Sequence, residues 1–225
     1  TLEEMQILRN LLDRRTVEHH GDTYELDVEP PRTATVSGTC PPLYFGGLSE
    51  HAREVAAREA DVYLMWPDTE PAVTELVTDM RARAERHGRS LRFGYRVHVI
   101  VRETEDEALA AAARLVSRLD DAVGDEIRSR SLDSASAGVR RQAELRDASG
   151  GDGFVEPNLW TGIGRARSGC GAAIVGDPDQ VRAKIERYVE LGIDAFIFSG
   201  YPHRDEAERF GRLVLPHLDH APLVI

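Results

Sequence analysis

Hydrophobic positions recur along the chain with two periods, and the clearest run lies between Leu91 and Val101. Phe93, Tyr95, Val97, Val99 and Val101 share one parity; Arg92, Gly94, Arg96, His98 and Ile100 share the other. This predicts a strand with one face under helices and a guanidinium and an imidazole two residues apart on the opposite face. Helical spacing appears around it. Leu2, Met5, Leu8 and Leu12 predict a first helix, with Thr1 as cap and Glu4 completing a capping box. Further helices are predicted over Glu50–Ala60, Pro71–His87, Glu105–Val123, Asp177–Leu191 and Arg204–Leu218, the second and fourth of these stopped by Gly88 and Gly192. Asp177-Pro178 supplies an N-cap and a proline at the first helical position. His19–Val28 is a short alternation broken by Pro30-Pro31, and Gly124–Asp152 reads as helix with a glycine-rich end.

Short apolar segments stand between the helices at Leu43–Phe45, Asp61–Trp66 and Asp194–Ser199. With Leu91–Val101 they make four strand–helix units, which predicts a parallel sheet. Four such units are half of an eight-stranded barrel. Both edges of a half barrel are unpaired, so the isolated chain is expected to associate rather than remain a monomer.

A net charge of −11 argues against a nucleic-acid surface. An anionic ligand would need local arginines to overcome the global field. No stretch reaches the apolar length of a membrane span. No signal-peptide pattern is present, and the first residue is threonine. The two cysteines, Cys40 and Cys170, have no metal-ligand spacing; so few suit a reducing compartment, and a cytoplasmic location is expected.

Arg96 and His98 either line a cavity that receives an anion or lie on a solvated edge strand; on spacing alone the solvated face is the simpler account. Gly46-Gly47-Leu48-Ser49 joins a strand to a helix start, where backbone N–H groups can meet a phosphate, although many such turns carry glycine for geometry alone. Gly162–Gly171 (GIGRARSGCG) mimics a dinucleotide fingerprint, but no strand is predicted before it, and a mobile lid or a linker fits better. Ser199-Gly200-Tyr201-Pro202-His203 follows a strand's C-terminal end, where α/β folds place chemistry. His19-His20 lacks a third ligand at metal spacing, so no metal site is expected.

Six stretches, in order, resemble the flavin-dependent alkanesulfonate monooxygenases of the bacterial luciferase-like superfamily. They are PPLYFGG (41–47), DVYLMW (61–66), RFGYRVHVIVRETEDEA (92–108), NLWTGIG (158–164), GDPDQV (176–181) and GIDAFIFSGYPH (192–203). The resemblance implies a (β/α)8 TIM barrel of which residues 1–225 form a single domain carrying the last four βα units. It implies that 124–175 is an insertion with a mobile lid loop and that the chain is part of a longer protein. It implies use of reduced FMN and O2, with an NAD(P)H-dependent FMN reductase as partner, to release sulfite and an aldehyde from an alkanesulfonate. The alternatives are another organosulfur substrate, such as a sulfone, and a non-catalytic half barrel that binds flavin or a partner chain. By resemblance Arg96, His98, Tyr201 and Arg167 are catalytic, Trp66 and His203 meet substrate, and Gly46, Gly47 and Ser49 approach the flavin phosphate. Ser168 and Cys170 stand where smaller lid residues are expected, and Arg204 where an apolar one is, which bears on lid motion and substrate preference.

Overall fold

The computed structural model describes residues 1–129, 136–165 and 171–223. In chain order the elements are α1 (Leu2–Leu12), β1 (Val17–His20), β2 (Glu25–Val28), β3 (Tyr44–Phe45), α2 (Glu50–Glu59), β4 (Val62–Met65), α3 (Glu70–Arg86), β5 (Arg92–Val101) and α4 (Glu105–Val116). They continue as α5 (Asp121–Ser129), α6 (Ala137–Ala148), β6 (Phe154–Glu156), β7 (Leu159–Trp160), β8 (Ala173–Gly176), α7 (Pro178–Glu190), β9 (Ala195–Ser199) and α8 (His203–Leu213).

β3, β4, β5 and β9 lie side by side in that order, all parallel. With helices packed on one face they form the open half of a (β/α)8 barrel, as the strand–helix alternation requires. The face predicted to be covered is covered. Phe93, Tyr95, Val97, Val99 and Val101 are buried in one core with Val73, Val77 and Met80 of α3 and Val181, Ile185 and Tyr188 of α7. Each large side chain so buried contributes roughly 1.5–3 kcal/mol, which fixes the parity of the strand. Among the described residues, β3 pairs only with β4 and β9 only with β5, so both ends of this parallel set are open.

β5 is the hub because it serves three neighbours. In an extended strand the N–H and C=O of one residue point to the same edge. Arg92 N donates to Asp61 O and His98 N donates to Ala172 O, so β4 and β8 share one edge of β5, one after the other. Phe93 O accepts from Asp194 N on the opposite edge, where β9 runs. β8 continues into the antiparallel β7 and β6.

Four sequence expectations need correction. β6, β7 and β8 were not anticipated, and a two-residue strand does stand before Gly162, followed by a single 3-10 turn over Gly162–Arg165 rather than an α-helix. The helix expected over Glu105–Val123 ends at Val116, and a new one starts because Asp120 Oδ1 accepts from Ala122 N at 2.9 Å. The last helix ends at Leu213 and gives way to a 3-10 turn at Leu215–His217, which contains Pro216. Thr1 caps α1 without a side-chain bond; Glu4 accepts from Tyr24 Oη at 2.7 Å through one oxygen and lies 3.5 Å from the Thr1 ammonium through the other. The neighbouring Glu3 holds the β1–β2 hairpin, accepting from Thr23 N, Tyr24 N and His19 Nε2. The capping box at Asp177 and Gln180 forms in full.

Candidate active site

The turn after β3, the end of β4 and the start of α6 enclose a cavity of about 610 Å³. Its walls are largely apolar, with Leu64 and Met65 from β4, Trp66 just after it, and Val73 and Leu76 from α3. Gly46 lies so close to β4 that a Cβ there would stand 2.5 Å from Leu64 O, so the turn can carry no side chain at this point. Ser49 caps α2 by accepting from Ala52 N at 3.2 Å, and Ser136 caps α6 by accepting from Val139 N at 3.1 Å. Two helix N-termini therefore open on one cavity, each with backbone N–H groups that lack an intrahelical acceptor. Burial pushes the Tyr63 phenol up to about 12, and the neutral hydroxyl donates to Gly47 O at 2.8 Å.

Among the described lining residues Asp68 is the charged one. Arg141 grips its carboxylate through both prongs, Nε to Oδ2 at 2.7 Å and Nη2 to Oδ1 at 2.8 Å. Beside it Gln142 Nε2 donates to Pro67 O at 2.8 Å, while its buried Oε1 has no partner among the described residues and sits where a side chain at Gly171 would go. α6 is thus bolted across the end of β4, with Gly138 against the Trp66 ring.

A second cluster forms at the C-terminal ends of β5 and β9. His98 is 5% exposed, and its Nδ1 lies 3.0 Å from Ser199 Oγ. The Tyr201 ring stacks on the imidazole, with centroids 5.3 Å apart and planes 27° from parallel, and the His203 ring packs on Tyr201 with centroids 4.7 Å apart. Arg96 is half-buried two residues before His98 on the same face, opposite Ile197 of β9. Leu64 pairs with Gly94, so the same register carried forward sets Trp66 level with Arg96. Beneath this cluster the buried Glu206 of α8 takes both prongs of Arg102, at 2.9 and 3.0 Å, and a further bond from Arg209. That network ties α8, and with it the loop bearing Tyr201, to the end of β5.

The model of the luciferase-like monooxygenase family matches residues 1–195. The chain belongs to this family. It is 62% identical to the sulfoquinovose monooxygenase of Novosphingobium aromaticivorans over 99% of its length and 62% of that protein's. It is 51% identical to the sulfoquinovose monooxygenase of Agrobacterium fabrum over 96% of its length and 57% of that protein's. The chain thus spans about three fifths of the curated relatives it matches. Among solved structures, the oxygenating constituent of the 3,6-diketocamphane monooxygenase from Pseudomonas putida, in complex with FMN, shares the fold, with a TM-score of 0.61 at 14% identity over 97% of this chain and 62% of that one.

The residues singled out in the sequence fall into both places. Gly46, Gly47, Ser49 and Trp66 line the 610 Å³ cavity; Arg96, His98, Tyr201 and His203 gather at the β5–β9 end. Arg167 lies outside the described residues, as do Ser168 and Cys170. Asp68, Arg141, Gln142 and Ser136 were not anticipated. Asp68 lies 68 to 74 residues before the other three, and no spacing in the sequence couples them. Ser199 was visible as the polar end of an apolar strand, but its contact with His98 depends on the β5–β9 register. Among the described residues no three metal-ligating side chains converge, and no helix is long and apolar enough to cross a membrane.

Proposed function

We propose that this chain works, within a complete barrel, as a two-component flavin-dependent monooxygenase that releases sulfite from a sulfonated sugar of the sulfoquinovose type. The observation that carries the substrate class is the 62% identity, over nearly the whole chain, to a protein named for that activity. It favours a sugar sulfonate over the simple alkanesulfonate expected from the sequence motifs alone.

The residues present suit a flavin mononucleotide. The side-chain-free turn at Gly46-Gly47 and the N-terminus of α2 at Ser49 would hold its phosphate, and Leu64, Met65 and Trp66 would bound its apolar body. The reduced flavin supplies the electrons that activate O2; the protein supplies position, charge and exclusion of water. A sulfonate is a permanent anion with acceptors only. Arg96 offers it a fixed charge and forked donors, and His98 and Tyr201 offer further donors from the same strand ends. His203, exposed beside Tyr201, is placed to meet sugar hydroxyls. By resemblance Arg167 would supply a further cation to the sulfonate, and an NAD(P)H-dependent FMN reductase would be the source of reduced cofactor.

The test is sulfite release by the full-length protein, supplied with an FMN reductase, NAD(P)H and O2, from sulfoquinovose, octanesulfonate and dimethyl sulfone in parallel. The expected result is the highest kcat/KM on sulfoquinovose. Turnover of octanesulfonate with none of sulfoquinovose would restore the alkanesulfonate reading.

A further inference from the structure

We propose that Ser199 is a positioning residue that holds His98 in its Nε2–H tautomer, so that His98 acts as a hydrogen-bond donor and not as a base. The inference rests on the sulfonate reading only for what His98 faces; the Ser199–His98 contact stands without it.

The contact is written into the sheet. His98 and Ser199 are directly paired residues of β5 and β9, so their side chains leave the same face of the sheet side by side. The Tyr201 ring, 5.3 Å away and nearly parallel, limits rotation of the imidazole about the axis that would exchange its two nitrogens. Nδ1 is thereby committed to Ser199 Oγ at 3.0 Å.

The direction of that bond sets the tautomer. A neutral imidazole carries one N–H and one lone pair, and the partner of one nitrogen decides what the other can do. A carboxylate or carbonyl at position 199 would demand a proton on Nδ1 and leave Nε2 as a base, the arrangement of a catalytic triad. A hydroxyl can serve either way. Among the described residues Ser199 Oγ has His98 as its side-chain partner. An O–H donating to an sp2 imidazole nitrogen is the stronger of the two possible bonds, because O–H and ring N–H are comparable donors and the ring nitrogen is the better acceptor. Ser199 therefore donates and Nε2 keeps the proton. In the imidazolium both nitrogens donate and Ser199 turns to accept, so Nε2 is a donor in either protonation state. That suits a group such as a sulfonate, which has nothing to give a base.

The test is nitrogen-detected imidazole NMR on the full chain labelled at histidine, with His98→Gln identifying the His98 signals among the eight histidines. The expected result at a pH where the ring is neutral is a single Nε2–H tautomer. Ser199→Ala should convert it to a tautomer mixture, and Ser199→Thr, which keeps the hydroxyl, should restore it. An Nδ1–H tautomer in the parent overturns the proposal, and this reading needs no Ser199 variant to fold. A Ser199→Ala spectrum identical to the parent's overturns it as well. Titration with methanesulfonate separates the two claims. Movement of the His98 Nε2 signal supports the anion reading; the expected tautomer with no movement leaves Ser199 assigned and removes the sulfonate from His98.

Discussion

Lys184 is the side chain whose loss should be felt most widely. It is 6% exposed, and its Nζ donates to Glu70 Oε1 at 2.8 Å and Glu156 Oε1 at 2.7 Å. Arg187 Nε completes Glu70 at 2.9 Å, Glu156 Oε2 accepts from Glu70 N, and Tyr188 Oη reaches both Glu156 and Asp68 O. Two cations and two carboxylates thus join α3, β6 and α7 behind the cavity wall. Lys184→Met fills the same volume but leaves one carboxylate unbalanced in a largely buried place. Removing one partner of a buried pair costs about 3–5 kcal/mol. At roughly 2–4 °C per kcal/mol for a chain of this size, the melting temperature should fall by about 6–20 °C. The hydrogen bond from Lys184 is the largest influence holding the Glu70 carboxyl below the ordinary range. A carboxylate with a depressed folded pKa lends stability above its unfolded pKa of about 4.3 and loses it as the pH falls through the folded value. The gap between parent and variant should therefore narrow in acid. Urea unfolding followed by far-UV circular dichroism at neutral and acid pH measures both effects. The double variant Lys184→Met/Glu156→Gln, which restores balance, should recover about 2 kcal/mol or more. A single variant within about 0.5 kcal/mol of the parent, or strict additivity in the double, would refute the network.

In the full-length enzyme Arg96→Ala should cost about 2–5 kcal/mol in kcat/KM for sulfite release, and Arg96→Lys less, because lysine keeps the charge and loses the fork; equal effects would remove Arg96 from the anion site. Gly46→Ala places a methyl group 2.5 Å from Leu64 O, so β3 and β4 must separate, at about 1–3 kcal/mol of stability and with weakened FMN retention measured by flavin fluorescence. Glu3 is held down to about 2, first by its hydrogen bond to His19 and then by Tyr24 N and Thr23 N. The grip of α1 on the β1–β2 hairpin should be intact above about pH 4.3 and fade as the pH falls toward 2, read from the Thr23 and Tyr24 amide resonances; amides unchanged down to pH 2 would show that another contact holds the turn.

β3, β4, β5 and β9 were legible because each belongs to a strand–helix unit with its own signal. The alternation of Phe93 to Val101, the glycine stops at Gly88 and Gly192, and the Asp177-Pro178 cap are local patterns that the structure uses as they stand. β6, β7 and β8 were not, because they lie outside the four strand–helix units and their pairing starts from the unused half of one edge of β5. The two halves of the candidate site differ in the same way. Arg96 and His98 sit on one strand, so their shared face follows from parity. Arg141 reaches Asp68 across 73 residues, and Ser199 reaches His98 across 101. Neither pairing could be read before the register of the sheet was known.

β5 also places a limit on how this protein can drift. Its even-numbered residues bond β4 up to Gly94 and β8 from His98 onward, while its odd-numbered residues bond β9. Exchange of one side chain for another in this stretch leaves that arrangement untouched. Gain or loss of a single residue between Tyr95 and His98 would not. It would turn the imidazole toward the helices, separate it from Ser199, and direct the bonds meant for β8 to the edge that β9 already occupies. Related proteins can therefore change length freely in the loops around the cavity, but across these few positions they should vary by substitution alone.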